Sequence, residues 1–138
     1  MKKIGIIDGQ GGGIGSAIIK SVKEVFGEEV EIVALGTNAI ATANMLKSRA
    51  NRGASGENAI IQTVKQLDII MGPISILMAN AMMGEVTPAM AEAICSARAE
   101  KMLIPLSQEN IWIAGVSQMP LPHLIDELVL NHLKYKVK

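Results

Sequence analysis

The residues Asp8-Gly9-Gln10-Gly11-Gly12-Gly13-Ile14-Gly15 stand directly behind the apolar run Ile4-Gly5-Ile6-Ile7 and lead into Ser16-Ala17-Ile18-Ile19. An apolar strand that stops in glycines and continues as a helix can bring backbone N–H groups against a phosphate. The helix start adds positive partial charge at the same place. Gly-x-Gly-x-x-Gly fits poorly, because it would need a glycine at Ile14 or a small residue at Ser16. Gly-x-x-x-Gly-x-Gly fits as Gly9, Gly13 and Gly15. Asp8 can brace the loop by accepting its N–H groups, or approach a metal or ribose. Gln10 is the loop side chain able to hydrogen-bond a ligand, or it faces solvent. The alternative for the whole stretch is a tight strand-to-helix turn that needs small residues and binds nothing.

In open α/β sheets ligands lie beyond the carboxyl ends of the strands. Besides residues 9–15, two stretches fall there: Gly36-Thr37-Asn38, and Gly72 onward to Asn80 and Glu85. After the second strand a dinucleotide protein often carries an acid for the adenosine ribose. Thr37 and Asn38 stand here instead; they neither repel a 2′-phosphate nor offer it a charge, so NAD and NADP are both open. Asn38 also suits the N-cap of the next helix. Glu57, Asn58, Asn80 and Glu85 are further ligand-site candidates. Glu57 and Glu85 stand near helix starts, where a carboxylate also serves the dipole. Asn80 sits in an apolar segment, as a structural bridge or a ligand contact. His123 and His132 read as surface histidines, Cys95 as a small buried thiol, and Met90 and the methionines of 78–83 as core or subunit contact.

Thirteen basic and thirteen acidic residues cancel, so the chain carries no field to attract nucleic acid or an anionic membrane. Phe, Tyr and Trp occur once each, which leaves no stacking platform for single strands. The lone Cys95 excludes an internal disulfide and a Cys-based metal site. No tract suits a membrane span, and a strand beginning within three residues leaves no room for a signal peptide, so the expectation is a cytoplasmic protein.

The elements that must position these residues follow from apolar runs and punctuation. Strands are expected at 3–8, 30–35, 68–71, 102–106 and 111–116. Helices are expected at 13–26, 39–50, 57–66, 74–83, 87–99 and 121–133. Ser55 reads as a cap for 57–66, and Thr87-Pro88 as N-cap and first residue of the following helix. Only residues 107–110 separate the last two strands, too few for a parallel crossover, which predicts an antiparallel hairpin. The expected fold is a single α/β domain over 1–138. It has three layers and a Rossmann-like or flavodoxin-like sheet of about five strands, mostly parallel with an antiparallel C-terminal strand, the third strand lying beside the first.

The spacing of Gly9, Gly13 and Gly15 resembles the cofactor loop of short-chain dehydrogenases, over residues 8–15. That family places a Tyr and a Lys four residues apart on a helix. Here Tyr135 and Lys138 are three apart, so the catalytic apparatus does not carry over. Over nearly its full length the chain resembles a family of short Rossmann-like proteins of anaerobic bacteria, a domain of unknown function. The similarity is carried by residues 8–15, by Ala34-Leu35-Gly36-Thr37-Asn38-Ala39 and by Gly84-Glu85-Val86-Thr87-Pro88, and it implies the fold without an activity. Two function classes follow. One is a nucleotide- or dinucleotide-binding protein with NAD or NADP on the glycine loop, redox-related if an enzyme. The other is a non-catalytic sensor or assembly subunit. The aliphatic excess predicts a homodimer or higher homo-oligomer in either case.

Overall fold

Strand β1 (Lys2–Asp8) buries Ile4 and Ile6 in one apolar cluster and Ile7 in another, all at 0% exposure. A strand covered on both faces needs a helical layer on each side. The computed structural model, which describes residues 1–106, 109–116 and 118–137, supplies them. After β1 come α1 (Gly13–Phe26), β2 (Val30–Gly36), α2 (Ala39–Lys47), β3 (Arg52–Ser55) and α3 (Glu57–Thr63). Then follow β4 (Ile69–Pro73), α4 (Pro88–Ser96), β5 (Glu100–Ile104) and α5 (Leu121–Asn131).

The sheet order is β3-β2-β1-β4-β5, with every pairing parallel. Helices α1, α2 and α5 cover one face through Ile18, Ile19, Val22, Met45, Ile125 and Val129. Helices α3 and α4 cover the other through Ile60, Met90 and Ile94. The strand order reverses between β1 and β4, which is where a doubly wound sheet opens its crevice. Gly72 allows that pair to come together: a Cβ there would stand 2.2 Å from the Ile7 carbonyl oxygen.

The expected α/β class, three layers and the placing of the strand at 69–73 beside β1 are all found. The antiparallel strand is not. Residues 111–116 pair with nothing in the sheet, and β5, reached from β4 through α4, is parallel like the rest. Pro105 has no N–H with which to continue a ladder, and Gly115 turns with φ 83°. The fifth strand is β3, inside what reads as a turn cluster; four residues with a glycine carry too little apolar pattern to show. Gly53 is there because a Cβ would come within 2.9 Å of Thr42 on α2. The expected helix over 74–83 is a 3₁₀ turn, Ile74–Leu77, followed by irregular backbone.

Two of the three expected side-chain caps are found: Asn38 Oδ1 accepts from Ala41 N at 2.8 Å, and Thr87 Oγ1 from Met90 N at 3.1 Å. Ser55 belongs to β3, and Gly56 stands at the N-cap of α3. Cys95 is exposed rather than buried, because Ile94 takes the core-facing position of α4 and the next residue turns outward. His123 and His132 are exposed. Tyr135 is exposed in a 3₁₀ turn after α5, and Lys138 lies outside the described residues. Among the described residues no helix is long and apolar enough to cross a membrane.

Candidate functional site

Asp8 ends β1 at 4% exposure and turns its carboxylate into the glycine loop. Oδ1 accepts from Gly9 N and Oδ2 from Gly15 N, each at 2.8 Å. Burial pushes this carboxyl above its ordinary value of 3.8; the amides of Gly15, Gly9 and Ile14 pull it down, and the charge of Glu85 adds to the rise. Gly12 N closes the turn onto Gly9 O at 2.9 Å. Gly12 has φ 73° and its Cβ would meet the Ala41 carbonyl, while a Cβ on Gly15 would strike Met45. These glycines are required by the protein itself.

Gly11 and Gly13 differ. A Cβ at either meets nothing within 4 Å, and both residues are exposed. Their N–H groups have no partner among the described residues, whereas those of Gly9, Gln10, Gly12 and Gly15 are bound internally. Two open amides at the start of a fourteen-residue helix form a place where an anion is favoured.

Glu85 knots three loops together. Its Oε1 accepts from Gln10 N at 2.8 Å, Thr37 Oγ1 at 2.6 Å and Asn38 Nδ2 at 2.8 Å. Asn38 Nδ2 also donates to Gln10 O at 3.0 Å. The knot is tight: a Cβ on Gly9 would meet Thr37 Oγ1, Met82 Sδ and Glu85 Oε1, all under 3.0 Å. The segment presenting Glu85 is strained, with φ 69° at Asn80, 58° at Met82, 57° at Met83 and 91° at Gly84. Left-handed backbone at two methionines costs free energy, and such cost tends to collect at functional sites.

Partial burial draws the Glu85 carboxyl upward, but hydrogen bonds from Thr37, Gln10 and Asn38 outweigh it and hold the group below its ordinary 4.5. A depressed carboxyl contributes stability that is present above the unfolded value and lost as pH falls through the folded one. Glu85→Gln is therefore expected to lower Tm at neutral pH and to converge with wild type as pH drops below about 4.5. Thermal melts across that range test it; a gap independent of pH would show that the charge contributes nothing.

Between β1 and β4 lies a cleft of about 240 Å³ lined by Asp8, Gln10, Ile14, Pro73, Ser75 and Met82, and by Leu106 and Glu109. Glu109 Oε1 holds Met82 N at 2.9 Å and fixes that wall. Ser75, at 5% exposure, lines the cleft; the buried side-chain polar atom without a partner among the described residues is Ser16 Oγ, in the first turn of α1.

Of the residues singled out from sequence, Asp8, Gln10 and Ile14 line this cleft. The glycines shape the loop beside it, and Thr37, Asn38 and Glu85 form the knot. Glu57 and Asn58 are exposed at the start of α3, away from the cleft, where Glu57 serves the helix dipole. Asn80 is exposed, bonding Val86 O and Gly84 N through its backbone, so it is a turn residue rather than a buried bridge. Gly72 serves the approach of β1 to β4. Sequence reading missed Ser75, Pro73, Leu106 and Glu109; for Ser75 a hydroxyl two residues past the strand-ending Pro73 was the available signal.

The chain belongs to the family described as Domain of unknown function (DUF3842), which matches residues 3–137. No curated protein matches it. Among solved structures it is similar to the dodecameric FMN-dependent UbiX-like decarboxylase from Escherichia coli O157:H7. The TM-score is 0.52 at 14% identity, covering 99% of this chain and 94% of that one. At that identity the likeness shows the fold. It also corrects the expected cofactor: that neighbour is FMN-dependent, and nothing supports NAD or NADP here. The physical reason lies in the knot. A dinucleotide on the glycine loop would extend over the end of β2, where Thr37 and Asn38 are already committed to Glu85.

Proposed function

We propose that this protein binds a flavin mononucleotide, its phosphate on the Gly11 and Gly13 amides and its ring in the cleft between β1 and β4. The observation that carries the reading is the pair of open amides at the start of α1 beside a cleft lined by Gln10 and Ser75. The groups present fit such a ligand. At about 240 Å³ the cleft is below the roughly 300–1,000 Å³ of pockets that enclose a whole ligand. That size suits one ring system with its phosphate outside on the loop. Ile14, Pro73, Met82 and Leu106 offer the ring apolar contact, and Ser75 and Gln10 offer hydrogen bonds. Asp8 spends its carboxylate on the loop amides, which keeps the phosphate cradle in shape.

Bound there, a flavin would supply one- or two-electron redox chemistry. The chain's own part is to orient the ring and hold the phosphate. The likeness to an FMN-dependent fold neighbour is consistent with this reading and is not its basis.

Titration calorimetry with FMN, riboflavin and FAD tests it. FMN is expected to bind best. Riboflavin lacks the phosphate and loses two charge-assisted hydrogen bonds of about 1.5 kcal/mol each, roughly a hundredfold in affinity. FAD is expected to bind poorly against the Glu85 knot. Equal affinity for riboflavin and FMN would remove the phosphate from the loop.

The protein is further proposed to be a homo-oligomer. Met83 at 97% and Ile40 at 69% exposure are large apolar side chains left in water. Sedimentation equilibrium is expected to give a mass above the 14.7 kDa chain; a clean species at that mass would reject it.

A further inference from the structure

We propose that a second chamber, of about 640 Å³ and lying against the cleft, is a binding site for a neutral or cationic, largely apolar organic molecule. The chamber is formed between residues 105–106, 109–116 and 118–120, the turn after β4 and the start of α5. Its wall includes Ile74, Met78, Trp112, Ile113 and Leu124. Leu106 and Glu109 line both it and the cleft, so the two spaces meet there. Its volume falls within the range of ligand pockets; most lining side chains are apolar, with Glu109, Asn110, Gln118 and backbone supplying polar groups.

Charge decides the class of ligand. Among the described lining residues Glu109 is the one charged group, fixed at the junction by its bond to Met82 N. With a carboxylate at the junction and no cation among the described lining residues, a phosphorylated or carboxylated molecule would meet a like charge there. A neutral or amine-bearing one would not. Trp112 at 87% exposure, with Ile111, Ile113 and Val116 each above 40%, is apolar surface that such a molecule would cover. Paired with the proposed flavin, the chamber would hold a second reactant beside the ring; the site itself stands on the cavity and its charge.

The probe is the neutral dye Nile red, compared with the anion 8-anilinonaphthalene-1-sulfonate, on the full chain without flavin. Trp112 is the chain's single tryptophan, so quenching of its emission reports occupancy at this wall. The expected result is saturable binding of one Nile red per chain with Trp112 quenched, and at least tenfold weaker binding of the anion. Met78→Phe, which fills the chamber, should weaken the dye at least tenfold with a near-native melt. Val25→Asp, in the separate apolar cleft between α1 and α5, should leave it unchanged.

Non-saturable binding, equal binding of the anion, or indifference to Met78→Phe would overturn the proposal. So would loss of dye on self-association, which would make this face a subunit contact. Adding FMN separates the two readings. Simultaneous binding supports a second site, displacement of the dye by FMN overturns it, and dye binding with no FMN binding leaves the chamber standing while the flavin reading falls.

Discussion

Gly13→Val is expected to abolish FMN binding while leaving the melting temperature close to wild type. Gly13 is the first residue of α1, exposed, and its φ lies outside the left-handed region. A side chain there meets no protein atom within 4 Å, and valine is a better helix former than glycine, so the fold is expected to bear little cost. What the isopropyl group occupies is the space beside the open Gly13 amide, where the phosphate is proposed to sit. Gly12→Val is the informative control. At φ 73°, with the Ala41 carbonyl oxygen 2.8 Å from its Cβ, it should cost the fold as well as the ligand. Calorimetry with FMN and circular dichroism melts on the three proteins make the comparison. Undiminished FMN binding by Gly13→Val would show that no phosphate rests on this loop.

That contrast marks how much of the site could be read from sequence. The glycine stretch was legible because strand, loop and helix signals follow each other within twenty residues. The division of labour inside it was not. Gly9, Gly12 and Gly15 are glycine because Glu85, Ala41 and Met45 press against them, and those neighbours come from other elements. Glu85 could be picked out as a helix-start carboxylate. That it ties Gln10, Thr37 and Asn38 together depends on left-handed backbone at Met82 and Met83, for which methionine gives no signal.

The same limit explains the strand errors. β3 is short and flanked by turn residues, and only its pairing with β2 through residues 33–36 makes it a strand. Residues 111–116 show the opposite: apolar alternation without a partner. The β1–β2–β4 core was legible because its continuous Ile, Val and Leu runs admit one burial pattern, helices on both faces. The cofactor was misjudged because absence of an acid after β2 leaves either dinucleotide open, while in the structure Thr37 and Asn38 at that end are bonded to Glu85.

Asp8→Asn is expected to weaken both fold and FMN binding, although it changes one atom. The aspartate offers two acceptor oxygens to two donors, Oδ1 to Gly9 N and Oδ2 to Gly15 N. Asparagine has one acceptor and sets an NH₂ against the other amide, with burial preventing rescue by water. An orphaned buried donor costs about 1–3 kcal/mol, which for a chain of this size corresponds to a fall in Tm of roughly 5–10 °C. FMN affinity should fall with it, because these bonds set the curvature that leaves the Gly11 and Gly13 amides open. Melts of wild type and variant at neutral pH, with FMN calorimetry at the same pH, decide it. An Asp8→Asn protein with wild-type Tm and affinity would show that the loop holds its shape without the second acceptor.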